Sequence, residues 1–321
     1  MQSRTMLKTI PRGTNALVIG ASGFLGTGLR RALVREGMRV SCFARTKPSD
    51  ASLEGIAQWT IGEMADERTL LQAIAGNDLV FHLAHTTMPG QSNTDPVKEV
   101  SENVNGSLLI LKACVQQGVR KIVFASSGGT VYGIPNIVPI AEFAPTNPLA
   151  AYGISKVCVE KYLYLFRHLY GLDYHVLRIA NPYGPYQSPL KPQGLIANVI
   201  HRGLNGMPID VFGDGSIIRD YVFVDDVVQA LIIGARYDGT EKVMNVGSGE
   251  GRSIADVLNW VESALGMGSL SVNRRDERKV DVPTNILDIE LIQRETGWRP
   301  LIGFGEGLAR TIAWMRSTHS L

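Results

Sequence analysis

Tyr152 and Lys156 stand four residues apart in Tyr152-Gly-Ile-Ser-Lys156, and on a helix that spacing puts both side chains on one face. An ammonium beside a phenol lowers the phenol's pKa from about 10 toward neutrality, which makes the tyrosine usable as a general acid and base. An ordinary amphipathic helix with an exposed lysine gives the same pattern. Its weight comes from position. It follows Ser126-Ser-Gly-Gly-Thr-Val-Tyr132-Gly133, which closes an apolar, strand-like run, and in a parallel sheet the carboxyl ends of strands face the crevice where ligands bind.

Upstream, Ala16-Leu-Val-Ile19 runs directly into Gly20-Ala-Ser-Gly23-Phe-Leu-Gly26. A strand, a tight glycine turn and a helix N-terminus aim backbone N–H groups and the positive end of the helix dipole at a diphosphate. In a chain with 34 glycines the spacing alone is weak; placement at the first strand-to-helix turn makes it a dinucleotide site. The next strand should end at the adenosine ribose, where a carboxylate accepts the hydroxyls of NAD. Here it ends in Ala44-Arg45. A guanidinium suits a 2′-phosphate, so NADP is open beside NAD; Arg45 equally could stack on adenine or face solvent.

The elements that must position these groups alternate. Ala16 to Ile19, Val40 to Phe43, Leu79 to Leu83, Lys121 to Ala125 and Tyr174 to Ile179 read as buried strands. Helical patterns at Leu25 to Glu36, Asp66 to Ala75, Val97 to Gln117 and Tyr152 to Tyr170 separate them. The fold class is α/β, a doubly wound parallel sheet covered on both faces. After Ala180 a Pro-, Gly- and Tyr-rich stretch to Gly194 has the composition of a site-lining loop. It borders a smaller C-terminal α/β substrate domain with helices at Leu195 to Leu204, Ile254 to Leu265 and Phe304 to Arg316. The expected division is 14–180 for the dinucleotide domain, with 220–247 returning to it, and 181–219 with 248–316 for the substrate domain.

Composition excludes several classes. The 321 residues are 45% hydrophobic and carry 32 Lys+Arg against 30 Asp+Glu, a net +2, which supplies no field for nucleic acid or an anionic membrane. No apolar run reaches the roughly 18 residues of a membrane span, and the first 13 residues, expected to fray, carry no signal-peptide block. Cys42, Cys114 and Cys158 are too scattered for a disulfide framework, and the six histidines lack metal-ligand spacing. A soluble, cytoplasmic, metal-free protein is expected.

Taken in order, Gly20-x-x-Gly23-x-x-Gly26, Phe81-His-Leu-Ala84, Asn103-Val-Asn-Gly106, Ser126 to Gly133, Tyr152-x-x-x-Lys156, Arg178-x-x-Asn181-Pro-Tyr-Gly184 and Arg219-Asp-Tyr-x-x-Val-Asp225-Asp226 resemble the extended short-chain dehydrogenases/reductases, and most closely the nucleotide-sugar 4-epimerases that act on UDP-glucose. The resemblance runs from about Asn15 to Trp314. It implies a Rossmann domain holding NAD and a C-terminal domain closing on a nucleoside-diphosphate sugar, which is oxidised transiently at carbon 4 and reduced again with inversion. Tyr152 would be the acid/base and Lys156 would bind the nicotinamide ribose. Gly20, Gly23, Phe24, Leu25 and Gly26 would surround the pyrophosphate, with Ala84, Asn103 and Tyr183 around the nicotinamide half. Asn181, Leu195, Arg219 and Arg278 would take the sugar nucleotide, the two arginines clamping its diphosphate. A homodimer built on the helices at 97–117 and 152–170 is also implied, with Leu109, Val159, Leu163 and Phe166 as apolar positions that would serve an internal core equally well.

Two departures bear on the chemistry. Most relatives place a Ser or Thr hydroxyl where this chain has Gly128, so Ser127 becomes the candidate, with Thr130 the alternative. Dehydratases of the same scaffold carry an acidic pair here, and Gly128, Gly129 and Thr130 provide none. Asn285 occupies the position that gates the sugar pocket in the family; being smaller than the usual Tyr, it leaves room for an N-acetyl group. The rival readings are an NADPH-dependent reductase of a 4-keto nucleotide sugar, which Arg45 favours, and a noncatalytic dinucleotide sensor, which the retained Tyr152 and Lys156 disfavour.

Overall fold

A computed structural model describes residues 7–48, 54–190, 194–266, 268–277 and 281–318. Seven strands form one sheet in which every pairing is parallel: β1 (Asn15–Ile19), β2 (Arg39–Ala44), β3 (Ile56–Ile61), β4 (Leu79–His82), β5 (Lys121–Ser127), β6 (Asp173–Ile179) and, from late in the chain, β10 (Val243–Val246). Their order is β10-β6-β5-β4-β1-β2-β3. The apolar runs are continuous because helices cover both faces: Ala16 to Ile19 and Val80 to Phe81 are fully buried. One face carries α1 (Phe24–Arg35) and α8 (Val224–Arg236), and the other α2 (Glu67–Ile74), α5 (Asn105–Gln116) and α6 (Ala151–Tyr170). A Cβ on Gly28 would lie 3.0 Å from Val228 Cγ2, so that glycine sets how closely α1 and α8 pack.

This is the Rossmann arrangement. The sheet grows from β1 one way to β2 and β3 and then reverses to β4, so a crevice opens between the ends of β1 and β4. The backbone stitches its edges together: Leu83 N donates to Ile19 O at 2.9 Å.

The second layer is smaller. β7 (Asn181–Tyr183), β9 (Ile218–Phe223), β11 (Gly251–Ser253) and β13 (Thr284–Asn285) make a four-stranded sheet around β9, and β8 (Ile209–Phe212) pairs with β12 (Val272–Arg275). Helices α7 (Leu195–Leu204), α9 (Ile254–Leu265) and α11 (Phe304–Thr318) pack around them, with α10 (Glu290–Thr296) beside β10. α9 starts on a capping box in which Ser253 and Asp256 exchange bonds at 3.0 and 2.9 Å.

Two expectations need correcting. The helix expected over 97–117 is three pieces: α4 (Pro96–Glu99), a wide π-helical turn at Val100–Val104, and α5. The expected fray stops early, since Leu7 bridges Tyr237 and Lys8 N donates to Arg236 O at 2.8 Å; residues 1–6 lie outside the described ones. Of the four apolar positions left open between a dimer face and an internal core, Val159 and Leu163 are buried in the core, and Leu109 and Phe166 are partly open. Among the described residues no helix is long and apolar enough to cross a membrane, and no group of His, Cys, Asp and Glu could hold a metal. The three cysteines are free, Cys42 and Cys114 buried, with burial pushing Cys42 up to about 12.

Candidate active site

At the end of β1 the chain must turn within van der Waals distance of the next strand's exit. Gly20 has φ +90°, and a Cβ there would sit 2.8 Å from Ala84 N; a Cβ on Gly26 would sit 2.8 Å from Ala21 Cα and closer still to Gly20 O. Only glycine permits both approaches. Helix α1 then begins at Gly23 with no side-chain cap and no acid in its first turn. Its first N–H groups and dipole are left for an anion, flanked by Phe24 and Leu25. Arg45 lies exposed just past β2.

The exit of β4 forms the opposite wall. Ala84 and His85 leave the strand, Thr86 N donates to Asn103 Oδ1 at 2.8 Å, and the Thr86 hydroxyl reaches the same oxygen at 3.2 Å. Asn103 is buried in the π-helical turn, which widens the helix enough to point it inward, and its Nδ2 finds no protein partner. A buried amide donor without an acceptor is costly in a closed protein and expected where a ligand supplies the acceptor. The unclaimed helix terminus, the glycine cradle and this donor line one crevice and fit a dinucleotide.

Tyr152 and Lys156 come together as their spacing predicts. Lys156 Nζ donates to Ala125 O at 2.9 Å, 5.5 Å from the centre of the Tyr152 ring and 4.8 Å from that of Phe124. Burial lowers Lys156 to about 8, against the charges of Glu99 and Glu160, which raise it. The phenol departs from expectation: burial and then the negative charge of Glu99 push Tyr152 up, so the free protein holds a neutral tyrosine. The helix that carries them packs hard on the β5 exit, since a Cβ on Gly153 would lie 2.7 Å from Thr130 O. Ser92 Oγ accepts from Tyr152 N at 3.0 Å and Asn93 Oδ1 from Ala151 N at 2.7 Å, fixing the helix start.

Across the crevice, Ser127 is half-buried and Thr130 carries a buried hydroxyl with no protein partner. Gly128 has no room for a side chain. A Cβ there would collide with Leu287 Cδ1 and stand 3.0 Å from Arg178 O, so the hydroxyl missing at this position has a steric cause. Gly129 is more open, with Asn181 at 3.8 Å from its built Cβ. Asn181 Nδ2 is anchored on Asp220 O at 3.1 Å. Asn285 is buried, and its Nδ2 donates to Gly128 O at 3.1 Å; it braces the double glycine from behind while its Oδ1 stays unpartnered.

Beneath this loop runs a buried network. Glu160 accepts from Ser126 Oγ at 2.5 Å and from Arg178 Nη2 at 2.6 Å, and Arg178 also reaches the Tyr132 hydroxyl at 3.1 Å. It ties β5, β6 and α6 together directly behind Ser127.

The remaining expected residues divide. Arg219 is largely buried, with Nη1 on Ile218 O at 2.9 Å and Val282 O at 2.5 Å and Asp281 at 3.8 Å. Leu195 opens α7, half-buried, after Gly194 at φ +102°. Arg278 lies outside the described residues. Tyr183 is not a nicotinamide contact through its side chain: it is 2% exposed, packs on Phe223 and Phe304, and donates its hydroxyl to Phe304 O at 3.1 Å. Its aromatic character serves the small domain's core. Sequence reasoning missed His85 and Glu99. His85 packs its ring 4.3 Å from that of Tyr152, and its Nε2 meets Glu99 Oε1 at 2.9 Å. Glu99 falls in a charge-rich stretch that reads as a solvated helix face, so the sequence offers no signal for it. His82, by contrast, is packed in the core, 2.9 Å from Ser107 Oγ.

Comparison with known proteins agrees with this geometry. The model of the NAD dependent epimerase/dehydratase family matches residues 16–247. A UDP-glucose 4-epimerase of Mycolicibacterium smegmatis is 34% identical over 308 residues, 94% of this chain and 98% of that protein. The UDP-glucose 4-epimerase of Thermotoga maritima, solved with UDP-glucose, superposes with a TM-score of 0.90 at 34% identity, covering 95% of this chain and 99% of its own. A UDP-N-acetylglucosamine 4-epimerase from Methanobrevibacter ruminantium, in complex with UDP-N-acetylmuramic acid, gives 0.88 at 27% identity over 96% and 100%. With the glycine cradle, the Tyr152–Lys156 pair and a family match over well more than half its length, the chain belongs to the NAD dependent epimerase/dehydratase family.

Proposed function

We propose that this protein interconverts UDP-sugars epimeric at carbon 4, UDP-glucose and UDP-galactose first, with N-acetylated sugars admitted. The observation that carries the reading is the Tyr152–Lys156 pair facing a Gly128–Gly129 backbone that has no acidic side chain and, at Gly128, no space for one. Such a site moves one proton to and from a sugar hydroxyl and has no acid to expel water.

Gly20, Gly23, Gly26, the start of α1, Ala84 and Asn103 would hold NAD, which when bound would supply the acceptor and donor of a hydride, so that no reductant is consumed over a turnover. Tyr152 takes the proton of the sugar hydroxyl and gives it back. Lys156, fixed on Ala125 O, places a positive charge beside that phenol and the cofactor ribose. Ser127, with Thr130 as the alternative, donates to the oxygen that loses its proton. Arg219, with Arg278, holds the diphosphate, a handle remote from the reacting carbon about which the sugar can turn. Asn181 and the start of α7 at Leu195 flank the nucleotide.

Incubation with UDP-glucose and with UDP-N-acetylglucosamine, without added cofactor, tests the reading. Formation of the 4-epimer supports it; stoichiometric NADPH consumption with a 4-keto sugar, and no epimerisation, would move the assignment to the reductase. The exposed Arg45 bears on that choice. A homodimer in the cytoplasm completes the proposal. Ile154, Leu165 and Leu169 on α6 are 55%, 40% and 55% exposed and offer an apolar face, which light scattering would read as twice the chain mass.

A further inference from the structure

Glu99 is a carboxylate near the Tyr152–Lys156 pair that neither faces solvent nor, among the described residues, sits in a direct ion pair with a permanent cation. It is 0% exposed. Its Oε1 meets His85 Nε2 at 2.9 Å and its Oε2 accepts from the Thr87 hydroxyl. Burial and then the charge of Lys156 lower His85 to about 4, so the imidazole is neutral. Its Nε2–H then donates a hydrogen bond to Glu99 and its Nδ1 remains an acceptor, a tautomer that the carboxylate fixes. The same ring packs 4.3 Å from the ring of Tyr152, with the planes 62° apart.

A buried charge without a cation in contact is expensive, and proteins keep one only where another charge balances it. Here the balancing charge is Lys156. Among the described residues its ammonium touches no carboxylate; it rests on a carbonyl and over two rings. The other acid acting on it, Glu160, is already taken by Arg178. We propose that Glu99, oriented by His85 and Thr87, is the fixed counter-charge of the Tyr152–Lys156 pair: a positioning residue that sets the charge state of both. This deepens the epimerase reading and rests on Tyr152 and Lys156 being its working pair.

The groups facing the pair are few. From the β4 exit come His85 and, deeper, the neutral His82; from α4, Glu99; from α6, Glu160; and from β6, Arg178, which is neutralised by Glu160. Removing the carboxylate therefore acts with one sign on both members. Tyr152, which Glu99 pushes up, ionises at lower pH; Lys156, which Glu99 holds charged, loses its proton at lower pH. Both limbs of the turnover profile move to acid together, a signature that loosened packing does not produce.

The test compares Glu99→Gln, which keeps hydrogen-bonding groups of the same shape, with Glu99→Asp, which keeps the charge. In the holoenzyme, Glu99→Gln should shift the whole pH window down by a unit or more, tenfold in rate on the alkaline side, with KM for UDP-glucose within twofold. Glu99→Asp should lose rate but keep the window. A second readout needs no turnover: in cofactor-stripped protein carrying isotope-labelled lysine, the Lys156 NMR signal, assigned with Lys156→Met, should titrate at lower pH in Glu99→Gln than in the parent. Equal windows for the two variants, or an unmoved Lys156 midpoint, would overturn the proposal. If Lys156 moves while no UDP-sugar is turned over by the parent, the counter-charge stands and the epimerase reading falls.

Discussion

Restoring at position 128 the hydroxyl that most relatives of the resembled family carry should harm this protein. Serine in place of Gly128 puts its Cβ 3.1 Å from Leu287 Cδ2, 3.0 Å from Arg178 O and nearer still to Leu287 Cδ1. Ordinary carbon–carbon contact begins at about 3.5 Å, so at least half an ångström must be found. Leu287 cannot give it cheaply: it is 0% exposed, and its backbone N–H is held by Asp220 Oδ2 at 3.3 Å. Overpacking of this kind costs about 1–3 kcal/mol, and moving Gly128 also strains its bonds to Ile179 O at 2.8 Å and to Asn285 Nδ2 at 3.1 Å, each worth about 1 kcal/mol. A loss of about 2–4 kcal/mol is expected, read by urea unfolding with cofactor content held equal. Leu287→Ala alone should cost about 2–5 kcal/mol. In the double variant the new serine occupies the vacated space, so the two penalties should fall short of their sum by about 1–3 kcal/mol. Gly128→Ser as stable as the parent, or strictly additive penalties, would refute the steric account of the glycine.

Other outcomes follow from the same geometry. Tyr152→Phe should bind UDP-glucose with nearly unchanged affinity in calorimetry while turnover drops about 10²–10⁴-fold; retained turnover would remove Tyr152 from the acid/base role. Glu160→Gln leaves Arg178 buried without its anion and should destabilise the fold by about 3–5 kcal/mol in chemical denaturation. Because burial lowers Lys156 to about 8, its ammonium is lost at lower pH than that of a free lysine, so the labelled Lys156 signal of the cofactor-stripped parent should titrate near pH 8 by NMR; a midpoint at the free-lysine value of about 10.4 would refute the burial argument. Asn103→Leu removes both the unpartnered donor and the acceptor of Thr86, so the protein should purify with less bound dinucleotide, measured after heat release.

The parts legible in the sequence share a physical cause: strong local patterning. Strands buried on both faces read as unbroken apolar runs, and the glycine turn is written in residues whose missing side chains the backbone requires. Where burial is partial, the reading fails. β3 has no fully buried residue and alternates poorly, so it does not stand out. The break at Val100–Val104 leaves the helical periodicity almost intact, yet it is what turns Asn103 inward. Tyr183 lies in a loop-like composition that suggests a site, but two aromatic rings, Phe223 and Phe304, claim it. Glu99 shows the deeper limit, because a charge in a charged stretch reveals its burial only after α4 has docked on α6. The sign of the Tyr152 shift failed for the same reason: spacing brings Lys156 near, but only the fold supplies the burial and the opposing carboxylate that outweigh it.

The most direct test of the central claim is to incubate the purified protein with UDP-glucose in heavy water, without added cofactor, and to follow carbon 4 by proton NMR. Transient oxidation with return of the same hydride predicts UDP-galactose whose carbon 4 keeps its original hydrogen and gains no deuterium. Epimerisation with deuterium entering at carbon 4, or no epimer at all, would contradict it.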